Sequence, residues 1–580
     1  MSKRKVFGLD NLAIARILRE IADLLEIRND NAFKIRAYRN GADIAANHPH
    51  QLQHLDAIAL REIPGIGKDL AARIREIAET GDAEYHRELV AEFPPSVLDL
   101  LHLQGVGPKT VATLYRDLGI RTLDDLRQAA ADGRIRALRG MGAKKESLIL
   151  KALEERQHYA GRRRLNDAQD TADAIITFLR ERAPDAIVEP VGSLRRGCDT
   201  CGDLDILVSG AGSSLMDDFV AYPLVERVLG HGDTKSSILL AGGFQVDLRL
   251  VEPHSRGAAM QYFTGSKTHN IALRDRAIDR GFKLNEYGLF RIDDETRVAG
   301  ATEEEVYAAL GLAWIPPELR ESRGEIDAAA ADHLPRLIDR TDLRGDLHMH
   351  TTETDGKDDV ATMVAAARAA GLDYIAITDH SQSLSMANGL DERRAIDHAE
   401  RIRALDGQIG GVRLLAGIEC DIKPDGTLDL ADDCLAALDL VIASVHSGFN
   451  QDRQQMTERI LRAIENPHVD ILGHPTGRLI LKREPYPVDV EAVIERAAAV
   501  GVAMEINAQA HRLDLDDRYA RLARDRGVRL VISSDSHSQR AFGVLRWGVI
   551  VARRAWLEPK DVLNTLPFDS FTAALRRHQR

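Results

Sequence analysis

Gly192-Ser193-Leu194-Arg195-Arg196-Gly197-Cys198-Asp199-Thr200-Cys201-Gly202-Asp203-Leu204-Asp205-Ile206 is the stretch that decides how the middle of this chain folds. Asp203 and Asp205 alternate with Leu204 and Ile206, the period of a strand, so both carboxylates project from one side of it. Upstream, residues 186–210 read as strand, Gly-Ser turn, loop and strand. Asp247 lies in Gly243-Phe-Gln-Val-Asp-Leu-Arg-Leu250, whose alternation suits a neighbouring strand. Three carboxylates on one sheet surface could hold two magnesium ions roughly 3.5–4 Å apart, the spacing that serves in-line displacement at phosphorus. Ser193 and Arg196, on the turn before, are placed to meet phosphate oxygens. Cys198 and Cys201 form a C-x-x-C with no second pair nearby, and read as a loop carrying two thiols.

Downstream the pattern changes. Short apolar segments at 374–378, 413–417, 438–444, 470–473, 503–507 and 529–533 alternate with amphipathic helical ones, the signature of βα units in a parallel barrel. Such barrels collect their polar sites at the carboxyl ends of the strands. His380, Glu419, His446, His474 and the Asp535-x-His537 pair fall there. His348-x-His350 and Asp535-x-His537 use two-residue spacing, which puts both members on one side of an extended segment. Mixed imidazole and carboxylate sets suit zinc, manganese or iron.

The front is helical in character. Leu12, Ile14, Ile17, Leu18, Ile21, Leu24 and Leu25 recur near helical spacing. A weak repeat follows: Ile63-Pro-Gly65-Ile-Gly67-Lys68, Leu103-Gln-Gly105-Val-Gly107-Pro-Lys109 and Leu138-Arg-Gly140-Met-Gly142-Ala-Lys-Lys145. Each is a Gly-x-Gly hairpin followed by a cation and a helix, whose free amides hold a phosphate without reading a base. The three resemble helix-hairpin-helix DNA-binding motifs. Lys34, Arg36 and Arg39 interleave with Phe33 and Tyr38, a mixture suited to a terminal phosphate and an exposed base. Residues 1–164 hold 28 Lys and Arg against 23 Asp and Glu, while the rest holds 49 against 67, within a net charge of −13. A mildly basic front on an acidic rear fits a DNA grip attached to metal-binding carboxylates. Four cysteines argue against a disulfide framework. No apolar stretch is long enough to span a bilayer and the amino terminus lacks a signal peptide's apolar core, so a cytoplasmic location is expected.

Taken with Gln261-Tyr-Phe-Thr-Gly-Ser-Lys-Thr-His-Asn-Ile-Ala-Leu-Arg274, these motifs make residues 5–318 resemble a bacterial family X DNA polymerase. The resemblance implies a magnesium-binding triad of Asp203, Asp205 and Asp247, with Ser193 and Arg196 on the triphosphate. Tyr262 and Phe263 would police the sugar, with Gly265 beside them. Asn270 would contact the base or sugar edge, and Arg274 the template minor groove. Lys34, Tyr38 and Lys68, with the glycines and Lys109 of the hairpins, would bind DNA. Two positions depart from the family: Lys267 stands where relatives often have an acidic residue, and Arg73 aligns with the Schiff-base lysine of its lyase activity. A guanidinium cannot act as that nucleophile.

Residues 340–575 resemble the polymerase-and-histidinol-phosphatase (PHP) domain, with all nine ligand positions filled: His348, His350, Asp355, His380, Glu419, His446, His474, Asp535 and His537. That implies two or three zinc or manganese ions. Arg478 or Arg512 is the candidate to hold a substrate phosphate. The expected layout is a lyase-like helical domain (1–88), a helix-hairpin-helix thumb-like domain (89–160), an α+β nucleotidyltransferase palm (161–258), a nucleotide-binding subdomain (259–318), a linker (319–341) and a (β/α) PHP barrel (342–575). The expected function is a monomeric, gap-filling DNA polymerase acting on gapped or primer-template DNA and deoxynucleoside triphosphates. A 3′-5′ exonuclease or 3′-phosphodiesterase would lie in the barrel, and abasic-site incision would be a further activity. The rival readings are a small-molecule phosphoesterase in the rear and a non-catalytic DNA-end scaffold.

Overall fold

The computed structural model describes residues 11–578, apart from 48–51, 53–54, 94–95, 98–99, 101–102, 104–105, 139 and 160. Gly105 of the second hairpin lies outside the described residues. The chain divides into two compact units, 1–160 and 161–580.

The first unit is helical. Helix α1 (Asn11–Arg28) and helix α2 (Ala32–Asn47) pack through Ile14, Leu18, Ile21 and Leu25, all fully buried and spaced on one helical stripe. Two of the expected hairpins lead into helices α3 (Lys68–Thr80) and α4 (Pro108–Leu118), with Gly67 and Gly107 as N-caps that offer no side-chain bond. At α3 the first-turn amides are left for another acceptor, whereas at α4 Pro108 has no N–H and the Thr110 amide turns back to the Gly107 carbonyl at 2.8 Å. Gly65, at φ +89°, turns the first hairpin tightly enough that a Cβ there would lie 2.6 Å from Ile44. The third hairpin opens helix α5 (Gly142–Tyr159), with Gly140 and Gly142 both at positive φ.

In the second unit, helix α6 (Leu165–Arg182) packs against a five-stranded sheet. Its strands are β1 (Ile187–Pro190), β2 (Asp203–Ser209), β3 (Val225–Gly230), β4 (Lys235–Leu240) and β5 (Phe244–Val251), in spatial order β1-β2-β5-β4-β3. Only β2 and β5 run parallel, and their register sets Asp205 beside Asp247. Helices α7 (Arg256–Thr264) and α8 (Lys267–Asp279) follow, then a small antiparallel sheet of Phe282–Asn285, Gly288–Arg291 and Arg297–Ala299.

Residues 319–341, expected as a linker, are packed rather than extended. Leu319, Arg320, Glu325, Ala329 and Ile338 are buried, and Arg320 bonds to the Glu303 carboxylate at 2.6 Å. Burial disfavours the Glu303 charge, but Arg195 and Arg320 outweigh it and bring the carboxyl down to about 2. The alanine-rich composition that suggests a spacer here lets a short helix, Glu325–Ala330, pack closely.

The barrel has seven parallel strands in sequential order: β6 (Gly345–Asp346), β7 (Tyr374–Ile377), β8 (Arg413–Asp421), β9 (Leu440–Ser444), β10 (Ile471–Leu472), β11 (Ala503–Asn507) and β12 (Leu530–Ser533). A parallel bridge between Met349 and Ser536 joins the first and last strands beyond their ends. Along β7, Tyr374 and Ala376 share one cluster with Leu440, Ile442 and Val531, while Ile375 and Ile377 join the cluster of the surrounding helices. Both faces are buried, which is why the strand segments read as continuous apolar runs. Phe571, stacked on Tyr374 at 5.0 Å, joins the first of these clusters.

Candidate functional site

Strand β2 ends one polar centre. Asp203 is exposed and Asp205 half-buried at its start, and Asp247 of β5 is 8% exposed. Burial, then the charges of Asp203 and Asp247, push the Asp205 carboxyl up to about 6. Asp247 is lowered, since Gln245 (2.9 Å), Ser237 and Lys235 (3.2 Å) outweigh its burial. Lys235 is a neighbour that alternation alone did not single out. The turn into this centre is close: Gly192 sits at φ +66°, and a Cβ there would fall 2.7 Å from Asp205 Oδ2.

A cavity of about 520 Å³ brings together Ser193, Arg196, Asp203, Asp205, Tyr262, Phe263, Gly265, Lys267, Asn270 and Arg274. Asp247 is not in its lining. Tyr262 and Phe263 meet edge to face at 5.1 Å, and Phe263 also carries Arg249 at 4.2 Å from its ring centre. Asn270 donates to the Tyr262 carbonyl at 2.7 Å and accepts from Gln261, so its amide is held at both ends. Arg196 donates from Nε to Glu321 at 3.0 Å and from Nη1 to the Thr264 carbonyl at 2.5 Å.

The second centre lies at the carboxyl ends of the barrel strands, where Glu419 is the hub. It lies 2.9 Å from His380, 2.9 Å from His474, 3.3 Å from His348, 3.4 Å from His446 and 3.6 Å from His350. Among the described residues, three groupings place ligand atoms within 4.8 Å of one another, all in this centre: His350, Asp355, His380 and His537; His348, His350 and Asp535; His380, Glu419 and His446. His474 belongs to none of these three groupings and joins the centre through Glu419 and through its ring contacts with His348 and His446. His474 and Asp535 adopt positive φ (+25° and +49°), backbone strain located at the site itself.

These residues fit a divalent cation on an internal criterion. The buried ring nitrogens His350 Nδ1 and His474 Nδ1 have no hydrogen-bond partner, and His348 Nε2, His350 Nε2 and His380 Nδ1 face carboxylate oxygens without forming an aligned bond, an arrangement that a metal would satisfy. Burial, then His380 and His537, bring His350 down to about 4, so it is neutral and ready to ligate. Burial also opposes charge on His380 and His446, but Glu419 leads the carboxylates that push them to about 10 and about 9. Protons thus collect where the cage carries surplus negative charge.

Behind the ligands stand groups that the motif reading missed. Glu505 accepts from His348 Nδ1 at 2.7 Å and from the His474 amide at 2.7 Å. Asp421 holds His446 Nδ1 at 2.8 Å. Asp379, next to His380 in the chain, binds Thr351 and His398, neither of them a cage residue. Partners such as Glu505 and Asp421 fix ring orientation and raise ligand basicity. Of the two candidate arginines, Arg478 is committed elsewhere, to the Arg512 and Leu513 carbonyls and to Asp199. Arg512 is half-buried, with its Nε 4.0 Å from Asp535.

In the helical unit, Lys34 and Tyr38 converge on Tyr85, another residue without a sequence signal. Lys34 Nζ is 2.5 Å from its hydroxyl, and Tyr38 stacks on its ring at 6.3 Å. Arg73 lies 5.3 Å from the same ring and pairs with Glu76. Lys68 is exposed at the start of α3.

The assembly of helical hairpins, a palm sheet with paired aspartates and a histidine-rich barrel defines the class of the protein. Family models match as helix-hairpin-helix domain (residues 9–83), SAM-like helix-hairpin-helix tandem (97–155), DNA polymerase beta palm (164–239), DNA polymerase beta thumb (259–321) and PHP domain (346–509). The thumb description thus falls on the segment expected as the nucleotide-binding subdomain. The chain is 38% identical over 568 residues, 97% of its own length and 99% of the relative's, to the DNA polymerase/3′-5′ exonuclease PolX of Bacillus subtilis (strain 168). It is also 32% identical, over 38% of its length and 89% of theirs, to probable phosphatases of Shewanella sediminis (strain HAW-EB3) and Thermoanaerobacter sp. (strain X514). The chain belongs to the bacterial family X DNA polymerases that carry a PHP domain.

Proposed function

We propose that this protein is a DNA polymerase that fills short gaps during repair and removes 3′-terminal nucleotides with its barrel. The observation that carries the reading is the presence on one chain of two separate, differently built centres: a carboxylate pair beside a nucleotide-sized cavity, and a buried histidine cage. Asp203, Asp205 and Asp247 would hold magnesium, and the nine barrel residues two or three zinc or manganese ions. When bound, such ions lower the pKa of an attacking hydroxyl or water and neutralise charge developing on phosphate oxygens.

The chain's own groups orient the substrates. Ser193 and Arg196 bind the triphosphate at the mouth of the cavity. Tyr262, Phe263 and Gly265 exclude a wrong sugar, Asn270 orients the nucleotide and Arg274 meets the template. Arg512 steadies the phosphate that the barrel cleaves. The hairpin amides, with Lys34, Tyr38, Lys68 and Lys109, grip the DNA backbone, which gives affinity without sequence preference. The likeness of the barrel to probable phosphatases supports removal of 3′-blocking phosphates by the same centre. Abasic-site incision would use it too. The protein acts as a cytoplasmic monomer; among the described residues no helix is long and apolar enough to cross a membrane.

The test follows a labelled primer on one-nucleotide-gapped DNA, with and without deoxynucleotides, in magnesium and in manganese. Asp205→Ala loses extension alone and His350→Ala loses shortening alone. Shortening that persists in His350→Ala would remove the barrel as the nuclease.

A further inference from the structure

The turn that carries Ser193 and Arg196 is seated on the hydrolase barrel. Helix α9 (Leu545–Arg554), which packs on β12, touches it at consecutive residues. Arg554 Nη1 donates to the Arg196 carbonyl at 2.7 Å. Gly197 lies so close that a Cβ there would meet Ile550 at 2.2 Å. Two residues on, Asp199 is paired with Arg478 of the barrel at 3.1 Å.

An ion-pair chain runs through the same contact. Glu321 Oε1 lies 3.0 Å from both Arg196 and Arg554. Arg554 also reaches Asp517 at 3.1 Å, and Asp517 reaches Arg323 at 2.8 Å. Three guanidinium groups therefore share two carboxylates. The chain lines a cavity of about 830 Å³ that meets the nucleotide cavity at Ser193, Arg196 and Asp203. Glu321 competes with any phosphate for the Arg196 charge, and Arg554 in turn competes with Arg196 for Glu321. Without Arg554, two cations of this chain would face two carboxylates, and Glu321 would direct its charge at Arg196 alone. Arg554 is itself 8% exposed, so water screens this exchange poorly.

We infer that Arg554, on the outer helix of the hydrolase domain, is a positioning residue for the polymerase: it shares the Glu321 carboxylate with Arg196, takes up part of its charge, and so sets the affinity for the incoming triphosphate. The inference rests on the reading of Arg196 as a triphosphate ligand. It places a determinant of nucleotide affinity in the domain that performs the opposite reaction.

The test is steady-state gap filling by the full-length protein with a deoxynucleoside triphosphate as the varied substrate. Hydrolysis of thymidine 5′-p-nitrophenyl phosphate by the barrel serves as the folding control. Arg554→Met raises KM about tenfold while kcat and the barrel activity hold. Adding Glu321→Gln to that variant removes the charge directed at Arg196 and brings KM most of the way back, which a merely structural lesion would not do. Arg554→Lys keeps the charge and raises KM only about threefold. If Arg554→Met fails the folding control, Arg554→Lys with and without Glu321→Gln decides by the same reversal. An unchanged KM in a folded variant, or no reversal by Glu321→Gln, overturns the inference. Arg196→Ala separates the two readings. If it leaves KM unchanged, the assignment of Arg196 fails; if it raises KM and Arg554→Met does not, only the inference about Arg554 falls.

Discussion

Replacing Asp205 by Asn should stabilise the metal-free protein while abolishing nucleotide incorporation. The native carboxyl titrates near 6 rather than its ordinary 3.8, because of burial first and then Asp203 and Asp247. At about 1.36 kcal/mol per pKa unit, forcing its ionisation at pH 8 costs at most ~3 kcal/mol. Half-burial and screening reduce that to about 1–2 kcal/mol. The sign follows from the two pKa values. Above pH 6 the folded group is ionised against its surroundings and the full cost is present. As pH falls from 6 to 3.8, the folded protein takes up a proton before the unfolded chain does, and the cost is relieved. The advantage of Asn is therefore largest at pH 7–8 and fades towards pH 4. Thermal unfolding in chelator would show the variant melting about 2 °C higher at pH 8, with a much smaller difference at pH 5. Added magnesium should reverse the order, because only wild type keeps the complete carboxylate set. A variant that melts lower at pH 8, or by an amount independent of pH, would refute the repulsion argument.

Glu505→Gln leaves His348 Nδ1 without its anionic partner and should weaken metal retention by the barrel about tenfold to a hundredfold, read by metal content after dialysis against a chelator, with primer extension intact. Gly192→Ala puts a Cβ 2.7 Å from Asp205 at φ +66° and should cost most of the polymerase activity; a variant that extends primers normally would mean the turn is free to move. Borohydride treatment with a 5′-deoxyribose-phosphate substrate should trap little adduct, because Arg73 supplies no amine, and efficient trapping would point to another nucleophile.

The chemistry was legible where spacing encodes it. Alternation in Asp203-Leu-Asp205 and the strand-end positions of His380, Glu419 and His446 depend only on local period, and the structure brings each set together. Glu505, Asp421 and Tyr85 carried no such signal, because each matters through a partner far away in sequence. Arg478 and Arg512 looked equivalent as charges and differ only in what they already bind. The segment 319–341 reads as a partly helical linker, and the helix Glu325–Ala330 agrees with that, but nothing in its composition announces the buried Arg320–Glu303 pair that packs it.

The bridge between Met349 and Ser536 has a consequence for how the molecule comes into being. His348 and His350 are translated early in the barrel, and Asp535 and His537 near its end. Until the last strand is made, the cage lacks two ligands and the first strand is paired on one side alone, with β7. Any message cut short before codon 535 would lose two ligands of the cage and, with them, the helix that seats the Arg196 turn. Closing the barrel with the last strand makes the complete corrective centre a property of the finished chain alone.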